Sequence, residues 1–261
     1  MERTPVTVHL SEYPSELHPF LDGVKLYDSS CSPEAKVIFI DKDSGYFLKS
    51  APKGLLKREA AMTRFYHNKK LAADVVAYLS DECDWLLSTK VQGDDCTAAK
   101  YLEQPERLAE IFGELLAFLH SLDYMGCPVP NHTKQYLSKA AQNRKTGHYD
   151  KSHFPNSFGY ESAEQAWAAV EKYGHLLKTD VLLHGDYCLP NIILDDWRFS
   201  GFIDLDNAGV GDRHVDLYWG AWTLWYNLKT DKHRNRFFDA YGRNKIDEDV
   251  LRIVAACEVF G

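Results

Sequence analysis

The hydrophobic pattern changes period once, near Gly93, and that change limits the folds open to this chain. Before it, short β-branched and aromatic runs recur: Gly23-Val24-Lys25-Leu26-Tyr27, Lys36-Val37-Ile38-Phe39-Ile40, Gly45-Tyr46-Phe47-Leu48-Lys49, Val75-Val76-Ala77-Tyr78-Leu79 and Trp85-Leu86-Leu87-Ser88-Thr89. Asp41-Lys42-Asp43-Ser44-Gly45 joins the second and third with hairpin-turn chemistry. One helical segment, about Pro52 to Lys70, interrupts the series. After Gly93, Leu108, Ile111, Phe112, Leu115, Leu116 and Leu119 fall at i, i+3, i+4, i+7, i+8 and i+11, the stripe of an amphipathic helix. A second helix is predicted from Ser162 to Leu177, with loop from Asn131 to Gly159 between. Short strands return at Val181–Leu183, Asn191–Leu194 and Phe199–Ile203, and helices close the chain. The class is α+β: a five-stranded lobe with one helix over residues 1–92, and a mostly helical lobe over 93–261.

Composition narrows the partners. Thirty basic and 38 acidic residues leave a formal charge of −8, a field that repels nucleic acid. The six cysteines form no CxxC pair and are too sparse for a disulfide scaffold. The N-terminus opens no apolar signal core, and no apolar run approaches the roughly 20 residues that span a bilayer. The expectation is a cytoplasmic protein with reduced thiols, monomeric by default.

The chemistry is concentrated in Leu183-His184-Gly185-Asp186-Tyr187-Cys188-Leu189-Pro190-Asn191-Ile192-Ile193-Leu194, followed by Gly201-Phe202-Ile203-Asp204-Leu205-Asp206. An Asp stands on a tight loop after a strand, an Asn opens the next strand, and another Asp ends the strand after that. Phosphoryl transfer from a nucleotide needs such a set: a carboxylate for the attacking hydroxyl and oxygen ligands for magnesium. The spacing matches the kinase H-R-D-x-x-x-x-N loop, with Gly185 in place of Arg, and Asp204 stands where the Asp of D-F-G stands. Asp186 is then the base, Asn191 and Asp204 the metal ligands, and His184 a supporting residue. Cys188 lacks a positioned base and is read as inert.

This segment, with its continuation Val210-Gly211-Asp212-Arg213-His214-Val215-Asp216-Leu217, resembles the catalytic region of the aminoglycoside phosphotransferase family, and within it the 3′-phosphotransferases. The resemblance extends over nearly the whole chain. It implies a bilobal, protein-kinase-like fold and transfer from ATP or GTP, with Mg2+, to a hydroxyl of a cationic aminosugar antibiotic. It implies that Lys49, paired with Glu59, holds the α/β-phosphates. It assigns Ser32 to a phosphate-covering loop without glycines, and the Thr89 carbonyl and Val91 amide to the purine edge. His120 and Asp216 are implied as struts. Toward the acceptor it implies Asp186, Glu258 and the carboxylate of Gly261. Asp206 reads equally as a site contact or a solvated turn carboxylate. Trp219, Trp222 and Trp225 read either as a packing face or as an aromatic wall against sugar faces and amines. There is no G-x-G-x-x-G and no G-x-x-x-x-G-K-[ST], which disfavours Rossmann and P-loop sites.

The same core also serves kinases of choline, sugar amines and macrolides. A silent nucleotide-binding protein would be expected to lack one of Asp186, Asn191 and Asp204, and all three are present. A redox or metal-sensing module has little support in the scattered cysteines.

Overall fold

The computed structural model describes residues 4–30, 35–150 and 159–261. The chain divides into two compact units: residues 1–93 with 200–206, and residues 94–199 with 207–261. Beyond the break at Gly93, a short segment carrying Asp204 returns to the first unit.

In the first unit, β1 (Thr4–Val6), β2 (Lys25–Asp28), β3 (Lys36–Asp41), β4 (Tyr46–Pro52), β5 (Val75–Ser80) and β6 (Cys83–Thr89) form an antiparallel sheet in the order β1-β2-β3-β4-β6-β5. The sheet has one strand more than the five expected. Thr4-Pro5-Val6 is short and carries a proline, which is tolerated because β1 is an edge strand. The β3–β4 hairpin pairs Ile40 with Tyr46. Gly45 sits at φ +97°, and a Cβ there would lie 2.9 Å from the Phe39 ring, so the turn requires glycine. Leu17, Leu21, Leu26, Ile38, Ile40, Leu48 and Leu87 make the core on one face of the sheet, with α1 (His18–Leu21) beside it.

Helix α2 (Lys57–Asn68) packs through Ala60 on a second cluster containing Ala51, Leu56, Val75 and Leu86. Its N-cap, Leu56, has no capping side chain. Asp84 of β6 supplies the acceptor instead. Fully buried, it takes hydrogen bonds from the Leu56 amide (2.9 Å), Tyr78 Oη (3.0 Å) and Ser80 Oγ (2.6 Å). Burial raises its pKa, but these bonds outweigh it and hold the carboxyl below its usual value. The sheet thereby fixes where α2 begins, and with it Glu59.

The second unit opens with β7 (Asp94–Asp95), α3 (Ala99–Leu102) and α4 (Pro105–Leu119). The predicted stripe is seen: Leu108, Phe112, Leu116 and Leu119 of α4 are buried. Phe112 packs on Tyr187 and Phe237, at ring-centroid distances of 4.4 and 5.4 Å. Residues 132–146 form α5 (His132–Thr146), a helix where a loop was expected. Then come α6 (Ala163–Tyr173), β8 (Val181–Leu183) and β9 (Ile192–Asp195), which pairs antiparallel with β7. Strand β10 (Arg198–Phe202) carries the chain into the first unit, where the Phe202 amide donates to the Leu71 carbonyl at 2.7 Å. Strand β11 (Gly209–Gly211) pairs antiparallel with β8. Helices α7 (Arg213–Leu228), α8 (Arg234–Tyr241) and α9 (Glu248–Glu258) complete the unit. Among the described residues no helix is long and apolar enough to cross a membrane.

Candidate active site

In the second unit the His184–Asn191 loop is built around two anchored carboxylates. Asp216 of α7 is fully buried. One of its oxygens accepts from the Gly185 amide (2.7 Å), and the other from the His184 amide (2.8 Å) and His120 Nε2 (3.0 Å). A carboxylate only accepts, so His120 carries its proton on Nε2, and Nδ1 accepts from Tyr241 Oη at 2.9 Å. Burial lowers the His120 pKa, which favours this neutral form. Gly185 lies at φ +82°, and a Cβ there would approach the Asn207 carbonyl oxygen to 2.0 Å. The position where protein kinases carry Arg therefore has no room for any side chain.

Asp186 is half-buried. Asn191 Nδ2 donates to its Oδ2 (2.9 Å) and to its backbone carbonyl (3.0 Å), closing the loop on itself. Thr223 of α7 braces the far side, its hydroxyl accepting from the Leu189 amide at 3.2 Å. Burial and the adjacent Asp186 carboxylate push the Cys188 thiol well above its usual pKa, so it stays protonated and is a poor nucleophile.

The first unit holds the cationic half of the predicted set. Lys49 Nζ on β4 meets Glu59 Oε2 on α2 at 2.8 Å and Asp204 Oδ1 at 3.2 Å. Burial works to lower the lysine pKa, but the two carboxylates outweigh it and the pKa rises. Burial raises the Glu59 pKa despite the lysine. Asp204 is half-exposed and sits at φ +58°. Thr89, at the end of β6, donates its amide to the Asp74 carbonyl (3.0 Å) and accepts from the Asp74 amide through Oγ1 (3.0 Å). The Val91 amide has no hydrogen-bond partner among the described residues. Ser32 lies outside the described residues.

At the end of the chain Glu258 is buried. Its Oε1 accepts from Tyr136 Oη (2.7 Å) and Trp219 Nε1 (3.1 Å). Burial pushes its carboxyl up to about 7, with the Asp186 charge adding to the rise and the two donors opposing it. Exposed Gly261 follows, with Asn143 Nδ2 donating to the Phe260 carbonyl (2.7 Å) and to Gly261 O (3.3 Å). Tyr136 and Asn143 were missed in the sequence because they belong to α5, whose apolar stripe is weak.

The buried Glu258 carboxyl gives stability a pH dependence. It titrates near 4.5 in an unfolded chain and near 7 here. Between those values the folded state binds more protons, so stability falls as pH rises through the window, by up to about 3 kcal/mol. Glu258→Gln is expected to flatten that slope. Urea midpoints measured from pH 4.5 to 8 check it, and a slope equal to the parent's would show that this carboxyl is not its source.

A β-sheet unit with a Lys–Glu pair and a helical unit with an Asp–Asn loop define a kinase-like phosphotransferase. The chain belongs to the aminoglycoside phosphotransferase family: residues 23–254 match the model of the phosphotransferase enzyme family, and a probable aminoglycoside 3′-phosphotransferase of Lactococcus lactis is 50% identical over 97% of both chains. The fold is similar to that of an aminoglycoside phosphotransferase from Streptomyces rimosus, at TM-score 0.77 and 20% identity over 97% of this chain and 99% of that one. That protein has also been solved with ADP and streptomycin. The type VIII aminoglycoside 3′-phosphotransferase aligns at TM-score 0.72 and 23% identity, over 96% of each chain.

Proposed function

We propose that this protein transfers the γ-phosphoryl group of ATP or GTP to the 3′-hydroxyl of an aminoglycoside and so confers resistance. The half-exposed Asp186 carboxylate carries this reading. Asn191 Nδ2 holds it through Oδ2, which fixes the carboxylate to accept a proton from a substrate hydroxyl. The hydroxyl oxygen forms the new P–O bond, its proton passes to Asp186, and the bond to the departing nucleoside diphosphate breaks. Lys49, oriented by Glu59, supplies positive charge to the α/β-phosphates. The Thr89 carbonyl and Val91 amide are assigned to the purine, and the unpartnered Val91 amide supports that assignment. Ser32 is assigned to the phosphate-covering loop by resemblance alone.

Asn191 and Asp204 are the proposed ligands of Mg2+. The Asn191 amide nitrogen is committed to Asp186, so its oxygen remains as the donor, and Asp204 adds a carboxylate. Hard oxygen donors of this kind suit magnesium, which would neutralise phosphate charge. No group of three His, Cys, Asp or Glu side chains able to hold a metal ion gathers among the described residues. In this class, phosphate oxygens and water complete the ion's shell.

Glu258 and Gly261 are proposed to meet the acceptor's amines. The proposed setting is the cytoplasm, where these nucleotides are plentiful, and the proposed state is a monomer.

An assay of nucleoside diphosphate release across kanamycin, neomycin, gentamicin C, choline and a macrolide tests the proposal. Turnover of kanamycin and neomycin without gentamicin C, which lacks the 3′-hydroxyl, is expected. Turnover of choline or the macrolide alone would overturn it.

A further inference from the structure

Helix α7 carries aromatic rings that the reaction as proposed does not use. Trp219 and Trp222 meet edge-to-face at 5.4 Å, and Trp222 and Tyr226 stack at 4.9 Å with 11° between their planes. The two tryptophans are half-buried and Tyr226 is 50% exposed. Asp216 and Thr223, which brace the catalytic loop, mark one edge of α7. At about 100° per residue, Trp219, Trp222 and Tyr226 lie on one flank, roughly 50–110° round from that edge. Trp225 falls on the opposite side, so Tyr226 rather than Trp225 continues the strip.

Both ends of the strip are polar. At its foot Trp219 Nε1 donates to Glu258, whose carboxyl is within electrostatic reach of Asp186. At its head the Lys229 ammonium lies over the Tyr226 ring, 4.2 Å from its centroid. Lys229 is exposed and caps the helix at φ +55°. A cation of the protein's own thus already occupies one aromatic face, the attraction a substrate ammonium would use.

We propose that Trp219, Trp222 and Tyr226 form a platform for a further amine-bearing ring of the acceptor, beyond the ring that carries the reacting hydroxyl, and that its ammonium displaces Lys229 from Tyr226. This rests on the aminoglycoside reading above and adds a determinant of which acceptors are taken. The ammonium already seated on the Tyr226 face favours this occupant, on a chain of formal charge −8. A flat apolar ligand would gain the stacking without using either end.

Kanamycin B and neamine, its two-ring fragment, provide the test. In Trp222→Leu, which stays apolar but loses the ring, the ratio of the kanamycin B KM to the neamine KM is expected to rise about tenfold. Trp222→Phe is expected to restore most of it. Lys229→Gln, an exposed change without folding risk, should lower the ratio two- to threefold. A ratio within twofold of the parent's in Trp222→Leu, or one that Lys229→Gln leaves unmoved, would overturn the platform. If the parent phosphorylates neither compound, the proposed function fails. Tryptophan fluorescence titration then decides the platform by itself: tighter kanamycin B binding by Lys229→Gln than by the parent supports it, and equal binding overturns it.

Discussion

Asp186→Ala is expected to lower kcat about a thousandfold or more while the protein stays folded and still binds nucleotide. A positioned general base contributes roughly 10²–10⁴ to rate, and no other carboxylate is held on this loop. The fold should tolerate the change, because Asn191 Nδ2 keeps its bond to the residue 186 carbonyl at 3.0 Å. Asp186→Asn is the sharper variant. Its side-chain oxygen can still accept from Asn191, so the loop geometry is retained and only the proton acceptor is lost. Single-turnover release of nucleoside diphosphate, with nucleotide affinity and thermal unfolding measured on the same samples, separates the two effects. A loss smaller than tenfold in both variants would remove Asp186 from the role of base.

The second large effect is expected at Asp216, through stability. Its carboxylate is buried and takes three hydrogen bonds, from the His184 and Gly185 amides and from His120. Asp216→Ala leaves three buried donors without their acceptor, at about 1–3 kcal/mol each. Allowing for relaxation, a loss of about 3–6 kcal/mol is expected, which lowers Tm by roughly 10–15 °C in a chain of this size. Turnover should also fall well below the new Tm, because the freed His184–Gly185 amides set the path of the loop that presents Asp186. Calorimetry and urea unfolding of parent and variant measure the loss. A change below 1 kcal/mol would show that the loop holds its shape without this strut.

The Asp186–Asn191 and Lys49–Glu59 pairs differ in how visible they were in the sequence. Asp186 and Asn191 stand five residues apart in a motif whose spacing encodes their contact. Lys49 and Glu59 were legible only through resemblance, since a strand lysine and a helix glutamate are unremarkable alone. The hairpin at Asp41–Gly45 and the α4 stripe were legible because turn chemistry and apolar period are local properties. Helix α5 was not: among its fifteen residues only His132, Thr133 and Ala140 are buried. Its closing Gly147 reads as a loop marker in sequence and is a left-handed helix terminator at φ +74° in the structure. The Glu258 pocket was hidden for a different reason. Its donors, Tyr136 and Trp219, lie 122 and 39 residues away along the chain. Burial of a carboxylate between a phenol and an indole leaves no periodic trace.

The return of residues 200–206 to the first unit has a consequence for how the polypeptide comes off the ribosome. The sheet's strands are all synthesised by Thr89, yet the Leu71 carbonyl waits for the Phe202 amide and Lys49 waits for Asp204. At about 5–20 residues per second, that delay lasts on the order of 5–20 s. During it the nascent unit is incomplete, its lysine paired with Glu59 alone. Translation pauses or rare codons within this interval would lengthen the exposure, and a fragment released at Gly93 would never acquire its last segment.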